Sequence, residues 1–192
     1  AMTLYGDEIV IGEFGNNLGK RTDLNLFHIN KNSYELRKTV SFVYPDQKDF
    51  TNPKHDFDCE TIIITDDRYY LFSKNRSNKN SNIYSAPLFS SNFELIDSVA
   101  LQGMVTDGIY HQPSDTYILL CYQVGLGGFK NSLALVKRTK DGGFKTTNIF
   151  NIGPAEQFEA IAHLKANQFL IGSEIGFLGN GRHLYLVTID GL

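Results

Sequence analysis

Cys59-Glu60-Thr61-Ile62-Ile63-Ile64, turned by Asp66-Asp67 and answered by Tyr69-Tyr70-Leu71-Phe72, reads as a β-hairpin. β-Branched and aromatic runs suit a pleated surface, and a short acidic pair suits a tight turn between them. The same order returns twice. Thr106-Asp107-Gly108-Ile109-Tyr110 is followed by Pro113-Ser114-Asp115 and Tyr117-Ile118-Leu119-Leu120. Phe158-Glu159-Ala160-Ile161-Ala162 is followed by Lys165-Ala166-Asn167 and Phe169-Leu170-Ile171. The acids that lead these runs, at 60, 107 and 159, fall 47 and 52 residues apart.

Third strands follow at Asn82-Ile83-Tyr84, Ser132-Leu133-Ala134-Leu135 and His183-Leu184-Tyr185-Leu186, and fourth strands at Phe93 to Leu101 and Phe144 to Ile152. Upstream, Glu8 to Glu13, Leu24 to Ile29 and Tyr34 to Tyr44 read as the second, third and fourth strands of an earlier unit whose opening strand is mostly missing. Four strands per unit at this spacing match the blades of a propeller, roughly 40–50 residues each, and no amphipathic helix offers a helical repeat instead. The expected fold is all-β and β-propeller-like: a single domain of about four blades of antiparallel four-stranded sheets. The blades fall at approximately 3–45, 57–101, 104–153 and 157–192, the first and last incomplete, as in a fragment of a larger propeller. Pro45 to Asp58 is the long loop between blades one and two. Ala1-Met2 followed at once by strand-like sequence reads as an artificial start, so that an export signal would lie upstream.

Composition agrees with strands joined by polar turns: 14 Phe, 10 Tyr, 17 Gly and 16 Asn with no Trp. No apolar run approaches the 18 or so residues of a membrane-spanning helix. With 18 basic and 21 acidic side chains, a net charge of −3 gives no bulk attraction for nucleic acid or an anionic membrane. Cys59 and Cys121 lie in apolar stretches and read as two buried free thiols, a disulfide being the alternative.

Several stretches resemble a family of secreted bacterial propellers, found largely in Bacteroidetes and often joined to a type IX secretion sorting domain or a lipid anchor. They are Ile11-Gly12-Glu13-Phe14-Gly15-Asn16-Asn17 with Arg21-Thr22-Asp23-Leu24, then Asp58-Cys59-Glu60, Tyr70-Leu71-Phe72-Ser73-Lys74-Asn75 and Gln157-Phe158-Glu159-Ala160-Ile161. The resemblance implies an extracellular, cell-surface or periplasmic protein. It implies no reaction, and the family's further blade and its acidic, Trp-containing strand upstream of the first motif are missing here.

In a propeller the inner strands line a channel, so Glu60, Asp107 and Glu159 would form part of an acidic ring. Crowded carboxylates raise one another's pKa unless a cation compensates, and Ca²⁺ is a natural one. Asp56, Asp58 and Glu60 alternate and would share a face if extended, adding oxygen ligands but neither the glycine turn nor the distal acid of a calcium loop. The competing reading makes each acid a clamp that accepts backbone N–H groups of a neighbouring blade.

The ends of the second strands supply the other rim groups: Glu13 with Asn16 and Asn17, Lys74 with Asn75 and Arg76, Tyr122 with Gln123, and Ser173 with Glu174. Amide, cationic and acidic groups beside tyrosine suit a small molecule, a glycan or a protein ligand, although the asparagines equally suit turns. No nucleophile elbow or zinc spacing occurs among the five histidines, and Gly125-Leu126-Gly127-Gly128 breaks the phosphate-loop patterns. His111 and His163 read as hydrogen-bonded strand residues. The expected function is therefore a non-catalytic, exported binding propeller without a cofactor. Its alternatives are a Ca²⁺-dependent hydrolase similar to propeller phytases or lactonases, and a scaffold that self-associates through open blade edges.

Overall fold

The computed structural model describes residues 1–52, 55–126, 128–174 and 182–192. Gly127 of the glycine cluster and residues 53–54 of the long loop lie outside them. Among the described residues every regular element but one 3₁₀ turn at Gln112–Ser114 is a strand. Blade one comprises β1 (Met2–Tyr5), β2 (Glu8–Glu13), β3 (Leu24–Asn30) and β4 (Leu36–Phe42), and blade two β5 (Cys59–Thr65), β6 (Arg68–Ser73), β7 (Asn80–Pro87) and β8 (Glu94–Ala100). Blade three comprises β9 (Met104–His111), β10 (Thr116–Gly125), β11 (Gly128–Arg138) and β12 (Phe144–Ile152). Blade four holds β13 (Gln157–Lys165), β14 (Gln168–Glu174) and β15 (Leu184–Thr188). Each blade is an antiparallel meander whose strands lie in chain order, so the chain is an all-β, four-bladed propeller-type protein. Among the described residues no helix is long and apolar enough to cross a membrane.

Blade one corrects the expectation of a missing opening strand. Met2–Tyr5 supplies that strand, with Met2 opposite Ile11 and Tyr5 opposite Glu8. A two-residue turn with Gly6 at φ 58° joins them, and the left-handed backbone needed there explains the glycine. The strand is only four residues long and escapes a reading that looks for longer alternation. Blade four has three described strands, in line with the expected missing outer one. The Asp66-Asp67 turn is as expected: both residues have positive φ, 51° and 54°, which acidic side chains tolerate better than most.

The chain divides into two compact units, 1–98 and 99–192. In the first, Val10, Leu24 and Leu26 of blade one pack against Ile62, Tyr69, Leu71 and Tyr84 of blade two in one apolar core. In the second, Ile118, Leu120 and Leu133 of blade three pack against Phe158, Ile161, Phe169 and Ile171 of blade four. These residues are almost wholly removed from water, and burying each such side chain contributes roughly 1.5–3 kcal/mol. Both cysteines are free and buried, as expected from the sequence. Burial pushes both thiols up to about 12, which leaves them without nucleophilic thiolate at neutral pH.

Candidate functional site

The first unit gathers the sequence-predicted residues at 13–23, 56–60 and 74–77 into one hydrogen-bonded patch. β5 begins only at Cys59, so Asp56 and Asp58 belong to the preceding loop and serve different partners from Glu60. Asp58 is completely buried. One carboxylate oxygen accepts the Asn16 N–H at 2.7 Å and the Cys59 N–H at 3.1 Å, while the other accepts the Arg76 guanidinium at 2.8 Å. Asn16 completes the join between blades, its side chain donating to the Phe57 carbonyl at 3.0 Å and accepting the Arg21 N–H at 3.0 Å.

Asp56 accepts the Arg76 and Ser77 N–H groups, each at 2.9 Å, and so shapes the turn after β6. Glu60 accepts the Lys74 ammonium at 2.8 Å; that ammonium is carried by a side chain only 5% exposed. Arg76 also donates to Asn17, and the Ser73 hydroxyl donates to Asn75. Arg21 forks onto Glu13 and reaches Asp23 at 2.9 Å. Its hydrogen bonds hold the Glu13 and Asp23 carboxyls below their ordinary values of 4.5 and 3.8, and they in turn raise the guanidinium's pKa.

Asp56, Asp58 and Glu60 are thus divided among a turn, an arginine with two backbone amides, and a lysine. Among the described residues no group of three His, Cys, Asp or Glu side chains is arranged to hold a metal ion. Glu60 pairs with a lysine of its own blade, whereas Asp58 makes the kind of contact the clamp reading describes, accepting the Asn16 N–H of blade one. In the second unit Asp107 acts in the same way: its carboxylate accepts the Gly108 and Ile161 N–H groups, both at 2.9 Å, and so ties blade three to blade four. Thr106 reinforces the join by donating to the Phe158 carbonyl at 3.0 Å. Glu159 accepts the Gln157 amide.

The second unit also has a concave feature. A cavity of about 470 Å³ lies where β11 begins and β12 ends, lined by Phe129, Lys130, Asn131, Asn151, Ile152, Gly153 and Ala155. Asn131 fixes the 153–155 turn, its side-chain NH₂ donating to the Pro154 carbonyl at 3.0 Å and the Glu156 carbonyl at 2.8 Å. Gly128 lets the strand approach it, since a Cβ there would lie 3.2 Å from the Ala155 carbonyl. Of the expected rim residues, Tyr122 is beside this cavity, its ring edge-on to Phe129 with centroids 5.2 Å apart. Gln123 follows Tyr122 on β10 and donates to the Gln102 carbonyl, and exposed Glu174 faces Gln157 across the blade-four ladder.

Next to the turn, Glu156 collects three donors: Ser173 at 2.8 Å, Tyr185 at 2.9 Å and His183 Nδ1 at 2.9 Å. Desolvation pushes the Glu156 carboxyl up, but these hydrogen bonds together outweigh it and hold the group below 4.5.

Two groups escaped the sequence reading. One is the set of cavity residues Phe129 to Asn131, which directly follow the glycine cluster at 125–128. The other group is buried between blades one and two, where His28 Nδ1 lies 2.6 Å from Glu8 and Nε2 lies 2.6 Å from the Tyr69 hydroxyl. The Tyr69 oxygen accepts the Phe89 N–H at 3.0 Å. A neutral imidazole satisfies every partner: Nδ1–H donates to the carboxylate, Nε2 accepts the tyrosine O–H, and the tyrosine oxygen takes the amide. Burial pushes the Tyr69 hydroxyl up to about 12, keeping it a donor. The alternation Leu24, Leu26, His28 on the buried face of β3 was the available signal. His111 is buried and bonded to Ser114 and the Ala166 carbonyl, whereas the exposed His163 bonds the same carbonyl.

No protein-family model matches the chain, and neither does any curated protein. Among solved structures the chain is similar to the β-propeller domain of the Trilobed protease from Pyrococcus furiosus at 10% identity and TM-score 0.43. That match covers 90% of this chain and 47% of the other. The chain is also similar to the Nup133 β-propeller domain of Vanderwaltozyma polyspora at 12% identity and TM-score 0.47, covering 95% of this chain and 60% of that one. The chain therefore spans about half the length of these propellers.

Proposed function

We propose that the chain is a binding module that performs no chemistry and takes a small hydroxyl- or carboxylate-bearing ligand in the cavity at the end of blade three. The observation that carries this reading is the cavity itself: about 470 Å³, with an aromatic ring and Ile152 beside Lys130 and two asparagines. Pockets of this size and mixed lining are typical for small ligands, apolar faces supplying contact area while a few polar groups set orientation. The Asn131 amide and the close approach at Gly128 hold the turn in place before any ligand arrives, which lowers the ordering cost of binding. Non-catalytic use is supported by the commitment of Asp56, Asp58, Glu60 and Asp107 to hydrogen bonds and ion pairs, and by thiols too buried to ionise.

A panel of acidic and neutral sugars and short acidic peptides, read by calorimetry or an array, tests the reading. Phe129→Ala and Lys130→Ala should each weaken the best binder by about tenfold or more, the scale of one lost stacking contact or charge-assisted hydrogen bond. Their melting temperatures should stay close to that of the wild type. A binder whose affinity is indifferent to both substitutions would place the site elsewhere.

A further inference from the structure

Blades two and three each open the fourth strand on a buried ring. Phe93, just ahead of β8, is 5% exposed and packs against Tyr69 of its own blade and Phe42 of blade one, with ring centroids 5.8 and 4.4 Å apart. Phe144, the first residue of β12, is buried edge-on to Tyr117 at 5.4 Å. Tyr69 and Tyr117 are each the second residue of their blade's second strand. Blade four has Phe169 at that position on β14 but, among the described residues, no fourth strand to bring a ring to it.

In the second unit the corresponding place is a cavity. Register equates its walls with the residues that hold Phe93. Val40 and Phe42 lie opposite Leu26 and Leu24 in blade one, as Phe150 and Ile152 lie opposite Leu133 and Asn131 in blade three. Ala86 lies opposite Tyr69 in blade two, as Val187 lies opposite Phe169 in blade four. Val40 and Phe42 are buried, whereas Phe150 and Ile152 stay partly exposed and, with Leu133, Val187, Ile189 and Asp190, line a cavity of about 300 Å³. It is distinct from the 470 Å³ cavity, although Ile152 borders both.

The edge beside this cavity is set up to take a strand. In an antiparallel ladder the N–H and C=O of one residue point to one side and those of the next residue to the other. The His183 carbonyl and the Ile189 N–H bond Ser173 and Asn167 on the β14 side, so the main-chain groups of Leu184, Leu186 and Thr188 point away from β14. Among the described residues no strand pairs with β15 there. A strand added antiparallel, as β4 and β12 are to their neighbours, begins beside the C-terminal end of β15. Its leading side chain then falls at the cavity, and the residue before it falls near the Asp190 carboxylate, which favours a cation.

We infer that blade four takes its fourth strand from another polypeptide, an extended segment that begins with a basic residue and an aromatic ring and continues with apolar residues in alternation. The ring fills the 300 Å³ cavity as Phe93 fills the equivalent place in the first unit. Main-chain bonds to β15 supply affinity, and the ring and Asp190 supply selectivity. A second copy of this chain has no strand to give, because each described strand is already paired within its own blade.

A fluorescein-labelled peptide, Lys-Phe-Lys-Thr-Thr-Asn-Ile-Phe-Asn-Ile, which is residues 143–152 with lysine for Gly143, tests this on the whole 192-residue chain. Anisotropy should show saturable binding, and hydrogen exchange followed by NMR should show the Leu184, Leu186 and Thr188 amides protected by the peptide. Alanine for the peptide's first phenylalanine should weaken binding tenfold or more, the scale of a lost buried ring. Asp190→Lys should weaken it about threefold and should favour a peptide led by glutamate instead. Leu186→Pro removes an outward N–H without touching the ladder to β14, so it should abolish binding at a melting temperature close to that of the wild type. The peptide and Asp190 arms hold even if that variant does not fold. No binding at millimolar peptide would overturn the proposal, as would binding that ignores the ring or leaves the three amides unprotected. A wild-type dimer in which those amides are already protected would overturn it as well, giving the edge to a second copy.

Discussion

His28→Ala should destabilise the first unit by about 3–5 kcal/mol, the combined cost of losing a hydrogen bond to a carboxylate and stranding a buried hydroxyl. The substitution leaves the Glu8 carboxylate, 7% exposed, without its 2.6 Å partner and the fully buried Tyr69 hydroxyl without an acceptor. Arg37, 3.2 Å from the other Glu8 oxygen, offsets part of the first loss. Thermal unfolding should show a fall on the order of 10 °C. Tyr69→Phe should cost less, about 1–2 kcal/mol, because it deletes one hydroxyl and strands neutral partners only. A His28→Ala melting curve superimposable on the wild type would mean that the Glu8–His28–Tyr69 chain does not join blades one and two.

The second large effect should come from Asp58→Ala. This one carboxylate holds two backbone amides and a guanidinium while completely buried, and it is the point at which the 13–17 loop of blade one meets blade two. Alanine leaves the Asn16 and Cys59 N–H groups with no acceptor and Arg76 with no counter-charge, a combination worth about 3–5 kcal/mol. Asp58→Asn keeps an acceptor oxygen and should recover roughly half of that loss. Urea unfolding of the pair separates the contributions: equal losses in both variants would assign the whole effect to charge, and no loss in either would remove Asp58 from the join.

The strands were readable because their signals are local. The Ile62–Ile64 run, the acidic turn and Tyr69–Phe72 contain their own alternation and their own reversal, and they recur at a fixed spacing. β1 was missed because four residues on a two-residue turn leave too little pattern to detect. The polar residues were readable as a set but not as pairs. Asp56, Asp58 and Glu60 suggested a shared cation, and Lys74 to Arg76 suggested a ligand surface, when the hairpin brings the second group onto the first. That pairing depends on Lys74 donating its N–H to the Asp58 carbonyl at 2.7 Å, which spacing along the chain does not reveal. His28 and Tyr69 are 41 residues apart and meet only through the packing of two blades. The cavity, likewise, exists because Asn131 reaches across to the turn at 154–156.

These contacts give each carboxylate at the loop ends a structural partner, Asp58 and Asp107 between blades and Asp56 and Glu60 within blade two. Calcium titration followed by thermal unfolding tests that assignment most directly, because an ion bound by the native state alone raises the melting temperature in proportion to its concentration relative to Kd. With Asp56, Asp58 and Glu60 each satisfied by a different donor and Asp107 by two amides, the melting temperature should not move up to millimolar calcium. A concentration-dependent rise that Glu60→Gln abolishes would contradict it and make these acids a metal site.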